Sequence, residues 1–165
     1  MNSNEMSKPG GTEKAFTYAQ RLLGIRPRSE EELTDKFRKK GYSGADVFQV
    51  VSSLKEKGII DDSRFARLWI ESRLRSSPKG EMLLRRELKQ KGISSEIIEK
   101  ALSENKVSED STARMIAAKK MASLKGVGKM KAKKRLFDFL ARRGFNSGTI
   151  EDIINESFNT RDCTD

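Results

Sequence analysis

Hydrophobic residues recur along this chain at the spacing of an amphipathic helix. Val47, Val50, Val51 and Leu54 follow the i, i+3, i+4, i+7 pattern, which places side chains on one helix face. No run of four or more alternating β-branched or aromatic residues lies between turn signals, as a half-buried strand would require. The pattern therefore predicts an all-α protein.

Three glycines, 51 and 52 residues apart, mark an internal repeat. Gly41, Gly92 and Gly144 each follow a large apolar residue by four positions and precede another by one, with basic residues just before the glycine. This is the sequence form of a Schellman helix stop, in which glycine adopts a left-handed conformation and the flanking apolar side chains touch. Each glycine therefore predicts the end of a helix.

The segments on either side of the glycines also match from copy to copy. An apolar residue stands eight positions before each glycine, and an amphipathic segment follows each one, with Ser43, Ser94 and either Asn146 or Ser147 as its N-cap. The apolar positions of these matching segments, besides those named above, are Leu33, Leu84, Leu136, Ile97, Ile98, Ala101, Leu102, Ile150, Ile153 and Ile154.

The sequence thus predicts three tandem three-helix repeats, at 13–58, 61–105 and 109–158, between a flexible N-terminal tail (1–12) and a C-terminal tail (159–165). A unit of about 48 residues buries only a small core, near the lower limit for independent folding. Neighbouring repeats should therefore pack end to end. We expect them to stack into an elongated, curved molecule.

Polar residues mark the starts of two helices. Ser29 and Glu32 have the spacing of a capping box, which opens the middle helix of the first repeat. Asp61 or Asp62 caps the first helix of the second repeat. Capping explains these two carboxylates better than metal binding does, since no third acidic ligand stands at a helpful spacing.

The first helices of the second and third repeats are less uniform. In the second repeat, Phe65, Leu68 and Trp69 fall on one face, which indicates a core tryptophan in preference to a base-stacking platform. The third repeat's first helix is predicted at about Asp110 to Leu124, with a shift of one or two residues relative to the other copies.

The amino-acid composition excludes several kinds of active site and metal site. The 165 residues include no histidine, which excludes Ser-His and Cys-His nucleophile pairs, imidazole bases and histidine metal sites. The single cysteine, Cys163, excludes an intramolecular disulfide and a cysteine-cluster zinc site. No phosphate-binding loop of the nucleotide-hydrolase type is present. We therefore predict a protein that is not an enzyme and has no metal or cofactor.

The chain carries no membrane signal. Its first 12 residues are polar, and nowhere do 18 apolar residues run together. We expect a cytosolic monomer without a membrane partner. The hydrophobic fraction of 35% is low for a compact globule, where about 45–50% apolar residues are usual, and fits an elongated stack.

A net charge of +10 favours an anionic partner. Divided at 12–60, 61–107 and 108–158, the charge is +3, +3 and +5, and the C-terminal tail carries −1. The densest stretch, 119–143, holds ten basic residues and one acid. In the second repeat, Arg73, Arg75 and Lys79 surround a Ser-Ser-Pro turn and form its best candidate for an exposed basic set. Basic charge along a repeat stack suits a long anionic partner better than a small ligand.

The segment Gly126-Val127-Gly128 has two interpretations. It resembles the Gly-hydrophobic-Gly turn of helix-hairpin-helix modules, whose backbone amides hold a DNA phosphate at a helix N-terminus. A loop between the first two helices of the third repeat, which needs glycine for its flexibility, explains the segment better. Both interpretations place Lys129 and Lys131 near a helix start, where an anion can reach them.

Three segments of the chain resemble the signatures of RecX-type regulatory proteins of bacteria. They are RPRSEEEL (26–33) with KKGY (39–42); GIIDDSRFAR (58–67) with Trp69; and RSSPKG (75–80) with the leucines, glutamate and glycine of 84–93. The resemblance spans roughly 14–158, and its carboxyl third matches mainly through Leu136, Leu140 and 142–145.

This resemblance implies an all-helical modulator of the RecA recombinase. Members of the family bind the RecA–DNA filament, lie along its groove, and restrain its ATP hydrolysis and strand exchange. The residue pattern alone does not identify RecA, because another filament or bare nucleic acid would suit the same charge and periodicity.

We therefore carry two hypotheses forward. In the first, the protein represses RecA by lodging in its filament, and basic side chains contact acidic RecA surface or DNA phosphate. In the second, the third repeat is a stand-alone nucleic-acid-binding module for single- or double-stranded DNA. The predicted contact residues are Arg28, Arg73, Arg75, Lys79, Arg85, Arg86, Lys129, Lys131 and Lys134.

Overall fold

The structure, a computed structural model, describes residues 10–104 and 109–159 of the chain. Within these residues the regular structure consists of nine α-helices and no β-strand. The helices are α1 (Gly11–Ile25), α2 (Glu30–Lys40), α3 (Gly44–Glu56), α4 (Asp62–Ser76), α5 (Glu81–Gln90), α6 (Ser95–Ser103), α7 (Glu109–Ala122), α8 (Lys129–Arg142) and α9 (Ser147–Asn159).

The helices follow one another in three groups of three, α1–α3, α4–α6 and α7–α9. This confirms the predicted all-α class and the tandem three-helix repeats. The chain forms two compact units, one containing the described residues up to 68 together with 88–98, the other containing 69–87 together with the described residues from 99 onward. The helices of the middle repeat contribute residues to both units. The elongated, curved shape and the repeat boundaries stay predictions.

Two predicted helix limits differ from those observed. Helix α1 begins at Gly11, inside the segment assigned to the N-terminal tail, because the Thr12 hydroxyl donates to the Asp46 carboxylate of α3 at 2.7 Å and fixes this start. Helix α7 begins at Glu109 and ends at Ala122, two residues earlier than predicted. The rest of the N-terminal tail and residues 160–165, including Cys163, lie outside the described residues or at their edge.

The predicted helix stops are confirmed at all three glycines. In the first repeat, the backbone N–H of Tyr42 donates to Phe37 and that of Gly41 donates to Arg38, which is the Schellman pattern. The Phe37 and Tyr42 rings meet edge to face, with centroids 5.6 Å apart. The same pair of hydrogen bonds recurs at Gly92 and Gly144.

The predicted N-caps are also confirmed. The hydroxyl of Ser43 accepts the backbone N–H of Asp46, and that of Ser94 accepts the backbone N–H of Ile97. Asn146, in preference to Ser147, caps α9 by accepting the N–H of Thr149 at 2.8 Å. Local side-chain chemistry thus sets the starts of the third helices.

Each compact unit has a hydrophobic cluster built from the predicted stripes. Leu33 and Phe37 of α2 and Leu136 and Leu140 of α8 are fully buried. The cluster in the first unit comprises Ala15, Ala19, Leu22, Leu33, Phe37, Val47, Val50, Val51, Leu54 and Ile60. The cluster in the second unit comprises Ala113, Ile116, Ala117, Met121, Leu124, Ala132, Leu136, Leu140, Phe145, Ile150, Ile153 and Phe158.

In the first unit, the N-terminus of α2 holds the loop that follows α5. Ser29 and Glu32 form the predicted capping box, and the Ser29 hydroxyl also donates to the Lys91 carbonyl at 2.6 Å. The Lys91 ammonium lies 2.7 Å from the Glu32 carboxylate, which also accepts hydrogen bonds from Nη1 and Nη2 of Arg26 at 2.9 and 3.0 Å. Asp62 accepts the Glu30 N–H at 2.9 Å, so the start of α4 is joined to the same site.

The second unit has a contact in the same register. The backbone N–H of Gly80, before α5, donates to the Arg143 carbonyl after α8 at 2.8 Å, and the Arg143 guanidinium donates to the Pro78 carbonyl at 2.9 Å. Gly80 and Ser29 both stand 12 residues before a helix-stop glycine, and Arg143 and Lys91 both stand one residue before the next. The two repeat junctions therefore use the same positions with different chemistry.

Glu32 is the most strongly perturbed carboxyl of the first junction. Burial by itself would raise the pKa of Glu32, but hydrogen bonds and charge from Arg26 and Lys91 outweigh it and lower that pKa from 4.5 to about 2. The ionised carboxylate therefore stabilises the folded state at every pH above 4.5, and this contribution declines as the pH falls toward 2.

Glu32→Gln should lower the free energy of unfolding at pH 7 by an amount on the order of 3 kcal/mol, because it leaves the half-buried Lys91 ammonium without its carboxylate. The difference between wild type and variant should shrink between pH 4.5 and pH 2, as measured by urea unfolding. Glu31→Gln is the matched control, since that half-exposed carboxylate contacts the exposed Arg38 at 3.4 Å. Equal losses in the two variants would contradict the role assigned to Glu32.

Alanine substitutions at Gly92 and Gly41 distinguish the cost of backbone strain from the cost of steric crowding. Both glycines have a positive φ, +77° at Gly92 and +82° at Gly41, so alanine at either site is strained. A Cβ on Gly92 would also lie 2.3 Å from Glu31 Cβ, whereas a Cβ on Gly41 would meet nothing within 4 Å. Gly41→Ala should cost about 1 kcal/mol, and Gly92→Ala clearly more. Chemical denaturation of both variants measures this, and a smaller loss for Gly92→Ala would show that the junction is not tightly packed there.

Candidate partner-binding surfaces

The predicted contact residues fall into an exposed group and a half-buried group. Arg75 at the end of α4, Arg86 on α5, and Lys129, Lys131 and Lys134 on α8 are exposed. Arg28, Arg73, Lys79 and Arg85 are half-buried. The structure therefore separates the exposed contact candidates from the half-buried ones, which the sequence alone could not do.

Glu87 of α5 binds two of the half-buried cations. Its carboxylate accepts hydrogen bonds from Arg73 Nε and Trp69 Nε1, both at 2.9 Å, and contacts the Lys79 ammonium. The Arg73 guanidinium also lies over the Trp69 ring, 4.3 Å from its centroid. Of the three residues around the Ser-Ser-Pro turn, only Arg75 is exposed, so the expectation of an exposed basic set there was wrong for Arg73 and Lys79.

The same cluster defines the environment of Trp69. Burial raises the pKa of Glu87, but hydrogen bonds from Lys79, Arg73 and Trp69 outweigh it, and the pKa lies below its ordinary value. Trp69 was predicted as a core residue, but it is half-buried, and its indole N–H donates to Glu87, so it packs against this polar cluster. Leu68 was expected to share its buried face, but 40% of Leu68 is exposed.

Arg85 and Arg28 have internal partners as well. The Arg85 guanidinium contacts Glu99 at 2.8 Å and Glu81 at 2.9 Å. The Glu99 hydrogen bond dominates and raises the pKa of Arg85 despite partial burial. Arg28 Nε donates to the Leu22 carbonyl at 3.3 Å. Both side chains thus position neighbouring helices in addition to carrying charge.

A basic groove in the second unit is the most distinctive surface that the structure describes. This second junction groove, of about 570 Å³, lies where the end of α4 and the 76–78 turn meet α7 and α8. Among the described residues that line it, four are cationic and none is acidic. Its lining comprises Leu74, Arg75, Ser76, Ser77, Pro78, Met115, Ile116, Lys119, Lys120, Ser123, Phe139 and Arg143.

Arg75 was predicted as a contact residue, whereas Lys119, Lys120 and Arg143 were not. The dense basic stretch 119–143 was the signal that pointed to them, but the sequence did not indicate which of its ten cations converge. Arg143 and Lys120 converge because both cations lie over the Phe139 ring, 4.7 and 5.4 Å from its centroid. Like charges held this close favour an anion between them.

A second, smaller groove lies in the first unit. This first junction groove, of about 270 Å³, is formed by the end of α1, the turn before α2 and the start of α4. It is mainly apolar with charged residues at its edge, and Asp61, its acid, caps α4 by accepting the Arg64 N–H at 3.0 Å. Its lining comprises Leu23, Pro27, Arg28, Ile59, Ile60, Asp61, Arg64, Phe65 and Leu68.

The Gly126-Val127-Gly128 segment connects α7 to α8, as the loop interpretation predicted. Gly128 is the N-cap of α8 and offers no side-chain hydrogen bond to the first turn. Lys129 and Lys131 are exposed in that turn, which confirms their predicted place at a helix start.

The described residues hold no group of three or more acidic or cysteine side chains that could bind a metal ion. In the same part of the chain, no helix has the length and apolar character needed to cross a membrane.

Comparison with known families matches each repeat. The family models described as RecX first, second and third three-helix domain match residues 15–59, 61–102 and 108–154, respectively. Together they cover most of the chain and follow the order of the observed helix groups.

Whole proteins and solved structures agree with these matches. The chain is 42% identical to "Regulatory protein RecX" of Chlorobium phaeobacteroides strain BS1 over 147 residues, which covers 88% of this chain and 94% of that one. It is 34% identical to the protein of the same name from Amycolatopsis mediterranei, covering 82% and 78%. The crystal structure of RecX from Lactobacillus salivarius superposes with a TM-score of 0.80 at 21% identity, covering 90% and 97%. The chain therefore belongs to the RecX family of regulatory proteins.

Proposed function

We propose that this protein is a non-enzymatic regulator that binds the RecA–DNA filament and lowers its ATPase and strand-exchange activities. Membership of a family of regulatory proteins supports a regulatory role. The observation that carries the proposal is the second junction groove, whose described lining residues include four cations and no acid. Such a surface favours binding to an anionic macromolecule.

The proposed contacts with the partner depend on which cations already form ion pairs with acidic side chains inside the fold. Arg73, Lys79 and Arg85 neutralise Glu87, Glu81 and Glu99, so in this proposal they support the surface. The exposed Arg75 and Arg86, together with Arg28 at the edge of the first junction groove, contact RecA or its DNA. The protein acts as a monomer in the cytoplasm, where RecA filaments assemble on DNA.

The direct test is the ATPase activity of RecA on single-stranded DNA. An equimolar amount or modest excess of this protein should lower the rate, because bound protein restrains the filament. An unchanged rate with protein that is folded by circular dichroism would refute the proposal.

Two double variants of equal charge test where the contact lies. Arg75→Ala with Lys119→Ala should raise the concentration needed for half-inhibition about tenfold, since these two exposed charges of the groove each contribute to binding. Lys36→Ala with Lys39→Ala, both exposed on α2, should leave it within about twofold. Equal effects of the two pairs would show that overall charge, and not the groove, determines binding.

A stand-alone nucleic-acid-binding function of the third repeat is the second candidate. It is favoured by the first turn of α8, where exposed Lys129 and Lys131 flank backbone N–H groups that Gly128 does not cap by a side chain. Lys134 is exposed one turn further along the helix.

In this case, binding to DNA without RecA should weaken steeply with salt, because each neutralised phosphate releases counterions. Changing Lys129, Lys131 and Lys134 to Ala should reduce the slope of log K against log salt by about 2. Fluorescence anisotropy with a labelled oligonucleotide measures it. A slope that stays the same would count against this candidate and leave the filament as the partner.

A further inference from the structure

The two junction grooves are lined by equivalent positions of successive repeats. Five lining residues of the first groove have counterparts in the second that stand 51 residues later in the chain. The pairs are Leu23 and Leu74, Pro27 and Pro78, Arg64 and Met115, Phe65 and Ile116, and Leu68 and Lys119. A correspondence this extensive indicates one surface feature formed twice.

The duplication has a structural cause in each unit. A groove forms where the end of a repeat's first helix and its proline turn meet the first helix of the next repeat. The backbone around each groove is held by the junction contacts in matching register, Ser29 with Lys91 in the first unit and Gly80 with Arg143 in the second. Both grooves are therefore fixed features of the repeat junction.

Both grooves combine exposed aliphatic surface with cations. In the first, Ile59 and Leu68 are 49% and 40% exposed beside Arg28 and Arg64. In the second, Met115 is 46% exposed beside the basic residues described above. An occupant that matches both features carries an apolar side chain next to negative charge.

Protein fits this description better than nucleic acid. Single-stranded nucleic acid is bound largely by stacking bases on aromatic rings. Among the described lining residues, the aromatic side chain of the second groove is Phe139, over which Lys120 and Arg143 already lie, and that of the first is the buried Phe65. Aliphatic side chains and cations make up most of what remains for contact, since Asp61 of the first groove accepts the Arg64 N–H as the cap of α4. These suit aspartate or glutamate beside leucine or a similar residue.

We infer that the two junction grooves are duplicate docking sites, each for an acidic protein segment that carries an apolar side chain, and that they engage two copies of this segment in one repeating protein polymer. That the polymer is the RecA filament rests on the function proposed above. Two linked sites bind a polymer more tightly than either site alone, because the second contact is intramolecular. The inference therefore predicts that both grooves are needed for tight binding.

Three single substitutions to aspartate test this. Leu68→Asp alters the first groove, Met115→Asp alters the second, and Phe48→Asp is the matched control on α3, outside both grooves and 75% exposed. Each adds the same charge at an exposed position, and circular dichroism checks that each variant folds.

Binding to RecA filaments on single-stranded DNA, measured by biolayer interferometry, gives the first result. Leu68→Asp and Met115→Asp should each weaken binding about tenfold, and the double variant about 100-fold or more, while Phe48→Asp stays within about twofold. The inference is overturned if either groove variant binds like the wild type, or if Phe48→Asp loses as much.

If the wild type itself does not bind the filament, the proposed function fails, and the grooves are tested separately. The full chain, labelled with ¹⁵N, is titrated with the peptide Asp-Glu-Leu-Asp-Glu and with an oligothymidylate of equal charge. The peptide should shift backbone amide signals at both grooves, and the Leu68→Asp, Met115→Asp double variant should lose these shifts. No shifts at the grooves, or shifts there with the oligonucleotide alone, would overturn the inference.

Discussion

The carboxylate of Glu32 connects the local start of a helix to the packing of two repeats. It closes the capping box with Ser29, and it also binds Arg26 and Lys91, which comes from the next repeat. A three-helix unit of this size is near the lower limit for independent folding, so contacts with its neighbour add to its stability. At this junction a helix cap supplies those contacts, because the polar groups that end one helix are satisfied by the start of another.

The second unit meets the same requirement without a carboxylate. Gly80 occupies the position of Ser29 and uses its backbone N–H, and Arg143 occupies the position of Lys91 and bonds to the Pro78 carbonyl. Replacing the ion pair with backbone contacts leaves Arg143 beside Lys119 and Lys120 in the second junction groove. The chemistry of each junction thus decides how much positive charge remains for a partner.

Internal pairing, more than the number of basic residues, determines where this protein can bind an anion. Glu87 forms ion pairs with Arg73 and Lys79, and Arg85 forms ion pairs with Glu81 and Glu99. These pairs are separated by between 4 and 14 residues in sequence, and the half-buried ones are shielded from solvent. The proposed regulatory surface therefore lies where the described lining residues include cations and no acid, at Arg75, Lys119 and their neighbours.

The sequence by itself determined the helices, their ends and the repeat, because each depends on residues within one or two turns. The helix stop at Gly92, the caps at Ser43 and Asp61, and the buried stripes through Phe37 and Leu140 are all local patterns. Only the tertiary structure decided which cations are exposed and which converge. Arg75 and Arg73 are two residues apart on α4, yet one is exposed and the other binds Glu87 of α5, since helical geometry points neighbouring side chains in different directions. The grooves likewise required the structure, because each is formed by segments from different repeats that meet only when the chain folds.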